Sequence, residues 1–150
     1  MNDVELPPYN RPFFFKPGHN AGDFLEATKW KILTEERGLV ELDVHVPEHV
    51  MNPRRHLFGG FTGTYVDMVS IFIARTLFAE NPEPMWATTV NMRIDFLEPV
   101  VGPRFLLRGE LLKEGKSTCL VATHFTDMDG NKLVYAITTM LKHLGVRPGS

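Results

Sequence analysis

From Gly60 to Ala79 the chain reads "GFTGTYVDMVSIFIARTLFA", about five turns of helix that are apolar on nearly every side. The following "ENPEP" cannot continue a helix, because Pro82 and Pro84 lack the backbone donor. Such a helix has to be buried. Its length approaches that of a membrane span, but Asp67, Ser70 and Arg75 interrupt it and no second span follows. The expectation is a buried helix in a soluble protein.

The segments around the helix read as strands. In "WKILTEERGLVELDVHVP" Val40, Leu42, Val44 and Val46 alternate with Glu41, Asp43 and His45, giving two strands joined by a turn near Gly38. Four more candidates follow the helix: "WATTVNMRIDFLEP", "RFLLRGELLKEG", "STCLVATHFTDMDG" and "NKLVYAITTMLKHL". The turn signals "PVVGP", "KEGK" and "MDGN" separate them, and short loops make sequential strands antiparallel neighbours. The expected class is α+β, a curved antiparallel sheet around one long central helix. Such a sheet leaves one side of the helix uncovered in a small monomer, so a homodimer is expected, with a dimer of dimers left open.

At 150 residues one domain is expected, residues 19–150, preceded by an extended arm, residues 1–18. The arm is proline-rich and carries "PFFFKP", while "GDFLEATKW" reads as a short helix opened by Asp23. A formal charge of -2 with mixed signs gives no basic stripe for nucleic acid, so a small partner is expected. The lone Cys119 has no disulfide partner and no zinc-site companion. With no basic, continuously apolar leader at the N-terminus, a cytoplasmic location is expected, with no membrane partner, metal or cofactor.

Asp67 is the anomaly in the helix, since an ionised group removed from water needs a partner. Gly59 and Gly60 stand where a loop enters the helix, with amide N–H groups that have no intrahelical acceptor and favour developing negative charge. Asp67 lies seven residues beyond Gly60, roughly 10 Å along the axis. Both reach one reacting carbon only if two helices from two subunits run side by side in opposite senses. The plainer alternative is that Asp67 pairs with Arg75, a lysine or strand threonines.

"GGFTGTYVDM" resembles the signature of hotdog-fold acyl-CoA thioesterases of the 4-hydroxybenzoyl-CoA thioesterase superfamily, in the branch with phenylacetate-pathway enzymes and small animal acyl-CoA thioesterases. Asn52, Gly59, Gly60 and Asp67 fall in register with it, and "TTVNMRIDFLEPV" resembles the branch's strand with Thr89 at its hydroxyl position. The match spans about residues 28–145. It implies Asp67 as general base or nucleophile on a thioester carbon, the Gly60 amide as oxyanion donor, and Asn52 and Thr89 as orienting groups. Gly59, Phe58, Lys116 and His143 are the expected substrate-binding residues, the last two for CoA phosphates, with Arg54 or Arg55 as further options. The chain departs from the branch at Phe58, where a His is usual, and His56 stands two positions earlier.

The leading reading is an acyl-CoA thioesterase for a fatty or aromatic acyl group. A non-catalytic acyl-CoA-binding protein competes with it, favoured by Phe58. A hotdog dehydratase ranks last, because His56 and Asp67 lack the placement it needs.

Overall fold

The computed structural model describes residues 15–78 and 85–144. A short helix, α1 (Asn20–Phe24), precedes a hairpin of β1 (Lys31–Glu36) and β2 (Leu39–His45). The long helix α2 (Gly59–Thr76) follows, and then β3 (Met85–Phe96), β4 (Arg104–Glu114), β5 (Thr118–Thr126) and β6 (Lys132–Leu144). The six strands form one sheet in the order β1-β2-β4-β5-β6-β3, with every pair antiparallel. The helical excursion thus carries the chain from β2 to the opposite edge, where β3 pairs with β6. No helix among the described residues is long and apolar enough to cross a membrane.

The helix packs against β2, β3, β4, β5 and β6. Five strands at about 4.8 Å spacing cover about 19 Å, while a helix with its side chains is about 10 Å across. Five of the six strands thus cover the one helix. This is the arrangement the sequence pattern implied. The core follows from period two in the strands: Val40, Leu42 and Val44 of β2, Phe105 and Leu107 of β4, and Val121 and Phe125 of β5 are all fully buried. Tyr65 of α2 meets this layer edge-on, its ring 5.4 Å from that of Phe105, which stacks on Phe125 at 4.7 Å.

Gly109 of β4 sets how closely helix and sheet approach. A Cβ there would stand 2.8 Å from Val69 Cγ2 and 2.9 Å from Ile73 Cγ1, so only glycine lets α2 settle at this depth. Gly38 turns the β1–β2 hairpin at φ 79°, in the left-handed region where a side chain is strained.

Some expected boundaries are corrected. The first helix is opened by His19, whose Nδ1 accepts from the Gly22 amide at 3.0 Å. Asp23 lies inside that helix and accepts from Gly18 N instead. The long helix begins at Gly59 and ends at Thr76, whose hydroxyl donates to Ile73 O at 2.6 Å and accepts from Gly38 N at 2.9 Å. Ala79 and the "ENPEP" stop lie outside the described residues, as do residues 1–14 of the arm. Phe15, the arm's last aromatic, packs edge-on against Phe72 at 5.4 Å.

Candidate active site

Asp67 sits on the one stripe of α2 that the sheet leaves partly open. Gly60 is exposed, and Thr64, Asp67 and Ile71 are half-buried, at the three- and four-residue spacing of a helix face. The Thr89 hydroxyl donates to Asp67 Oδ1, and Thr89 Oγ1 also lies 3.4 Å from Met140 Sδ. Among the described residues no cation forms an ion pair with Asp67. Arg75 is buried with its guanidinium 5.8 Å over the Trp86 ring, and burial lowers its pKa. Asp67 is therefore a carboxylate steadied by one hydroxyl, with the remaining acceptor capacity of its two oxygens open to a water or a substrate.

A β-bulge brings Thr89 to that position. The β3–β6 register shifts between Thr89 and Asn91, with Val90 as the extra residue, 61% exposed. Beyond the bulge Met92 and Ile94 face the helix at Gly63. Asn91, Arg93 and Asp95 face outward, where Arg93 and Asp95 form an exposed pair at 3.4 Å. Strict alternation would have sent Thr89 outward with them.

The second group lies at the start of α2. The N-cap position is held by Phe58, which has no side-chain oxygen to offer, so no side chain caps the helix. The Phe61 amide is taken by Phe58 O at 2.9 Å. The N–H groups of Gly59 and Gly60 are the uncapped donors of an exposed helix start. The Phe58 ring, 54% exposed, lies over Gly60, where a Cβ would come within 3.0 Å of it.

Asn52 shapes the loop leading there. Its Oδ1 accepts from the amides of Arg54 (3.0 Å) and His56 (3.1 Å), so the carbonyl of its side chain is turned to its own loop and makes no hydrogen bond to Asp67 or Thr89. His56 is held through its backbone, bridging Val101.

Lys116 and His143 lie at the other end of the molecule. Lys116 is exposed in the β4–β5 turn, and that turn is tied to β6 by Lys142 N donating to Ser117 O at 2.8 Å. His143 Nε2 lies 3.0 Å from Thr88 Oγ1. Gly38, whose carbonyl accepts from Leu111 N on β4, donates its N–H to Thr76, so the β4–β5 turn lies toward the C-terminal end of α2, remote from Gly59. The candidates of one chain thus divide in two: Asn52, Phe58, Gly59 and Gly60 at the helix start, and Asp67 and Thr89 at mid-helix with His143 and Lys116 beyond.

A cavity of about 300 Å³ opens beside Gly59, between the helix start and the "FLEPV" segment at the end of β3. It is not legible in the sequence, because its walls come from three separate stretches of chain, of which "FLEPV" reads only as the end of a strand. Among the described residues no three His, Cys, Asp or Glu side chains converge as a metal-binding cluster.

Residues 55–134 match the family model described as the Thioesterase superfamily, more than half of the chain. Acyl-coenzyme A thioesterase 13 of Homo sapiens is 29% identical over 118 residues, covering 78% of this chain and 81% of that protein. A putative esterase of Saccharolobus solfataricus is 26% identical over 116 residues, covering 77% and 78% respectively. Among solved structures, a hypothetical thioesterase of Streptococcus pneumoniae with coenzyme A superposes with a TM-score of 0.68 at 20% identity, covering 78% of this chain and 88% of that one.

Proposed function

Because the chain belongs to the thioesterase superfamily and is a thioester hydrolase, we propose that its substrate is an acyl-CoA, cleaved between two copies of the chain. The observation that carries this reading is the half-buried Asp67 carboxylate on the open stripe of the helix, held by the Thr89 hydroxyl and paired with no cation among the described residues. The uncapped Gly59 and Gly60 amides are on that same helix but roughly 10 Å along it. Two helices side by side in opposite senses bring the amides of one chain opposite the Asp67 of the other. The long edge strand β3, with no strand on its outer side among the described residues, favours this pairing. The arrangement also brings Lys116 and His143 of one chain toward the helix start of its partner, where they meet the CoA phosphates.

In this mechanism the Gly60 N–H, with Gly59 beside it, donates to the thioester oxygen as charge develops there. Asp67 takes a proton from a water held against it, and the resulting hydroxide oxygen bonds to the acyl carbon. The tetrahedral intermediate collapses, the carbon–sulfur bond breaks, and the proton held on Asp67 passes to the CoA thiolate. A thiolate leaves readily, since thiols are far stronger acids than alcohols, cysteine's having an ordinary pKa of about 8.5. Attack by Asp67 itself, through a mixed anhydride hydrolysed by water, uses the same residues. Thr89 fixes the carboxylate, and Asn52 holds the loop that presents Phe58 and the glycines. The chain acts in the cytoplasm in this reading, where Cys119, buried with its thiol pKa raised, stays reduced.

The test is thiol release from a panel of acyl-CoAs by the wild type and Asp67→Asn. Loss of about 10²-fold or more in the variant supports the assignment. Tight acyl-CoA binding with no thiol released from any member contradicts it.

A further inference from the structure

We propose that the acyl group is seated in the cavity beside Gly59, within one chain, and that the floor of this cavity limits the substrate to compact, uncharged acyl groups. The inference rests on the acyl-CoA reading above and adds where the acyl group goes. Gly59 lines the cavity, and its N–H and that of Gly60 are the donors offered to the thioester oxygen. A carbonyl accepting from them places the acyl carbon at the cavity mouth. Phe96 and Leu97 form that mouth, 60% and 53% exposed, an apolar rim that an acyl chain would cover.

The far end is closed by Leu57, Val100 and Val134, all buried. Leu57 N donates to Val100 O at 2.8 Å, and Val134 is paired to both Phe96 and Phe125 in the sheet, so this floor is held by backbone bonds. A space of about 300 Å³ is at the small end of ligand pockets, which run from roughly 300 to 1,000 Å³. Its charged lining residue is Glu98, which disfavours an acyl group ending in a carboxylate. The rival seat is the open helix stripe, where Ile71 lies one turn beyond Asp67.

The experiment measures thiol release and, by calorimetry in the Asp67→Asn background, affinity for acetyl-, hexanoyl-, decanoyl-, palmitoyl- and succinyl-CoA. Val134→Phe fills the floor, Leu97→Trp narrows the exposed mouth and so serves should the buried variant fail to fold, and Ile71→Phe alters the rival seat. The expected result is a preference for hexanoyl- and decanoyl- over palmitoyl- and succinyl-CoA. Val134→Phe or Leu97→Trp then weakens decanoyl-CoA roughly tenfold relative to acetyl-CoA, while Ile71→Phe leaves the ranking of the acyl groups as in the wild type. Folded floor and mouth variants with an unaltered profile, or a cut-off moved by Ile71→Phe, overturn the proposal. Acyl-dependent binding that follows the expected pattern without thiol release leaves the seat standing and overturns the hydrolysis reading instead.

Discussion

Thr89 donates its hydroxyl to Asp67, although the next ordinary residues of its strand, Asn91 and Arg93, face away from the helix. The bulge at Val90 makes the difference. It shifts the strand by one residue, so Thr89 before it and Met92 after it both point at α2. Bulges of this kind re-aim a side chain at a site.

In the proposed mechanism Thr89 holds the carboxylate rather than reacts. Thr89→Ala removes one hydrogen bond to a charged group, worth about 1.5 kcal/mol or about tenfold in rate. Thr89→Ser restores most of it. Steady-state thiol release checks both, and a loss in Thr89→Ala equal to that of Asp67→Asn would reverse the two roles.

Gly109→Ala tests the helix seat. The added Cβ meets Val69 and Ile73 at under 3 Å, and neither can swing clear in the packed core. Destabilisation of about 1–3 kcal/mol is expected from overpacking. Denaturant midpoints measure it, and an unchanged midpoint would mean that α2 sits higher above the sheet.

Tyr65→Phe should stabilise the chain. The Tyr65 hydroxyl is buried with no hydrogen-bond partner among the described residues, and an unsatisfied buried hydroxyl costs about 1–3 kcal/mol. Burial, reinforced by the Glu26 carboxylate, holds its phenol above the ordinary 10.0. The unfolded chain ionises first, so the wild type loses stability as pH rises above 10.0, whereas below that value both states keep the proton. Tyr65→Phe lacks this part of the alkaline loss. Denaturant unfolding at neutral pH and above pH 10 reads both effects, and a less stable variant at neutral pH would show that the hydroxyl is satisfied.

The fold was legible where one physical signal dominates. Val40, Leu42 and Val44 alternate because one face of β2 lies on the core, and an apolar helix among short-looped strands leaves few arrangements besides a sheet curled around it. Asp67 stood out because a carboxylate in that company needs a reason. Features that depend on contacts between distant segments were not legible. The Val90 bulge leaves no mark in an alternating strand, and His19 caps α1 through a ring nitrogen where a carboxylate one turn later looked the better opener. The Asn52 side chain turned to its own loop, a local bond that the motif spacing does not encode.

The measurement closest to the central claim mixes two inactive chains. Gly60→Pro removes the helix-start donor without breaking an intrahelical bond, and Asp67→Asn removes the proposed base; circular dichroism checks that each variant folds, since the proline ring meets Phe58 and restricts Gly59. Neither alone should release thiol at the wild-type rate. After subunit exchange at equal amounts, half of the dimers carry one of each and have one intact site, so activity should recover to roughly a quarter of wild type. Activity no greater than the sum of the two separate variants, with exchange demonstrated by tagged chains, would contradict a thioester held between the glycine amides of one copy and the aspartate of the other.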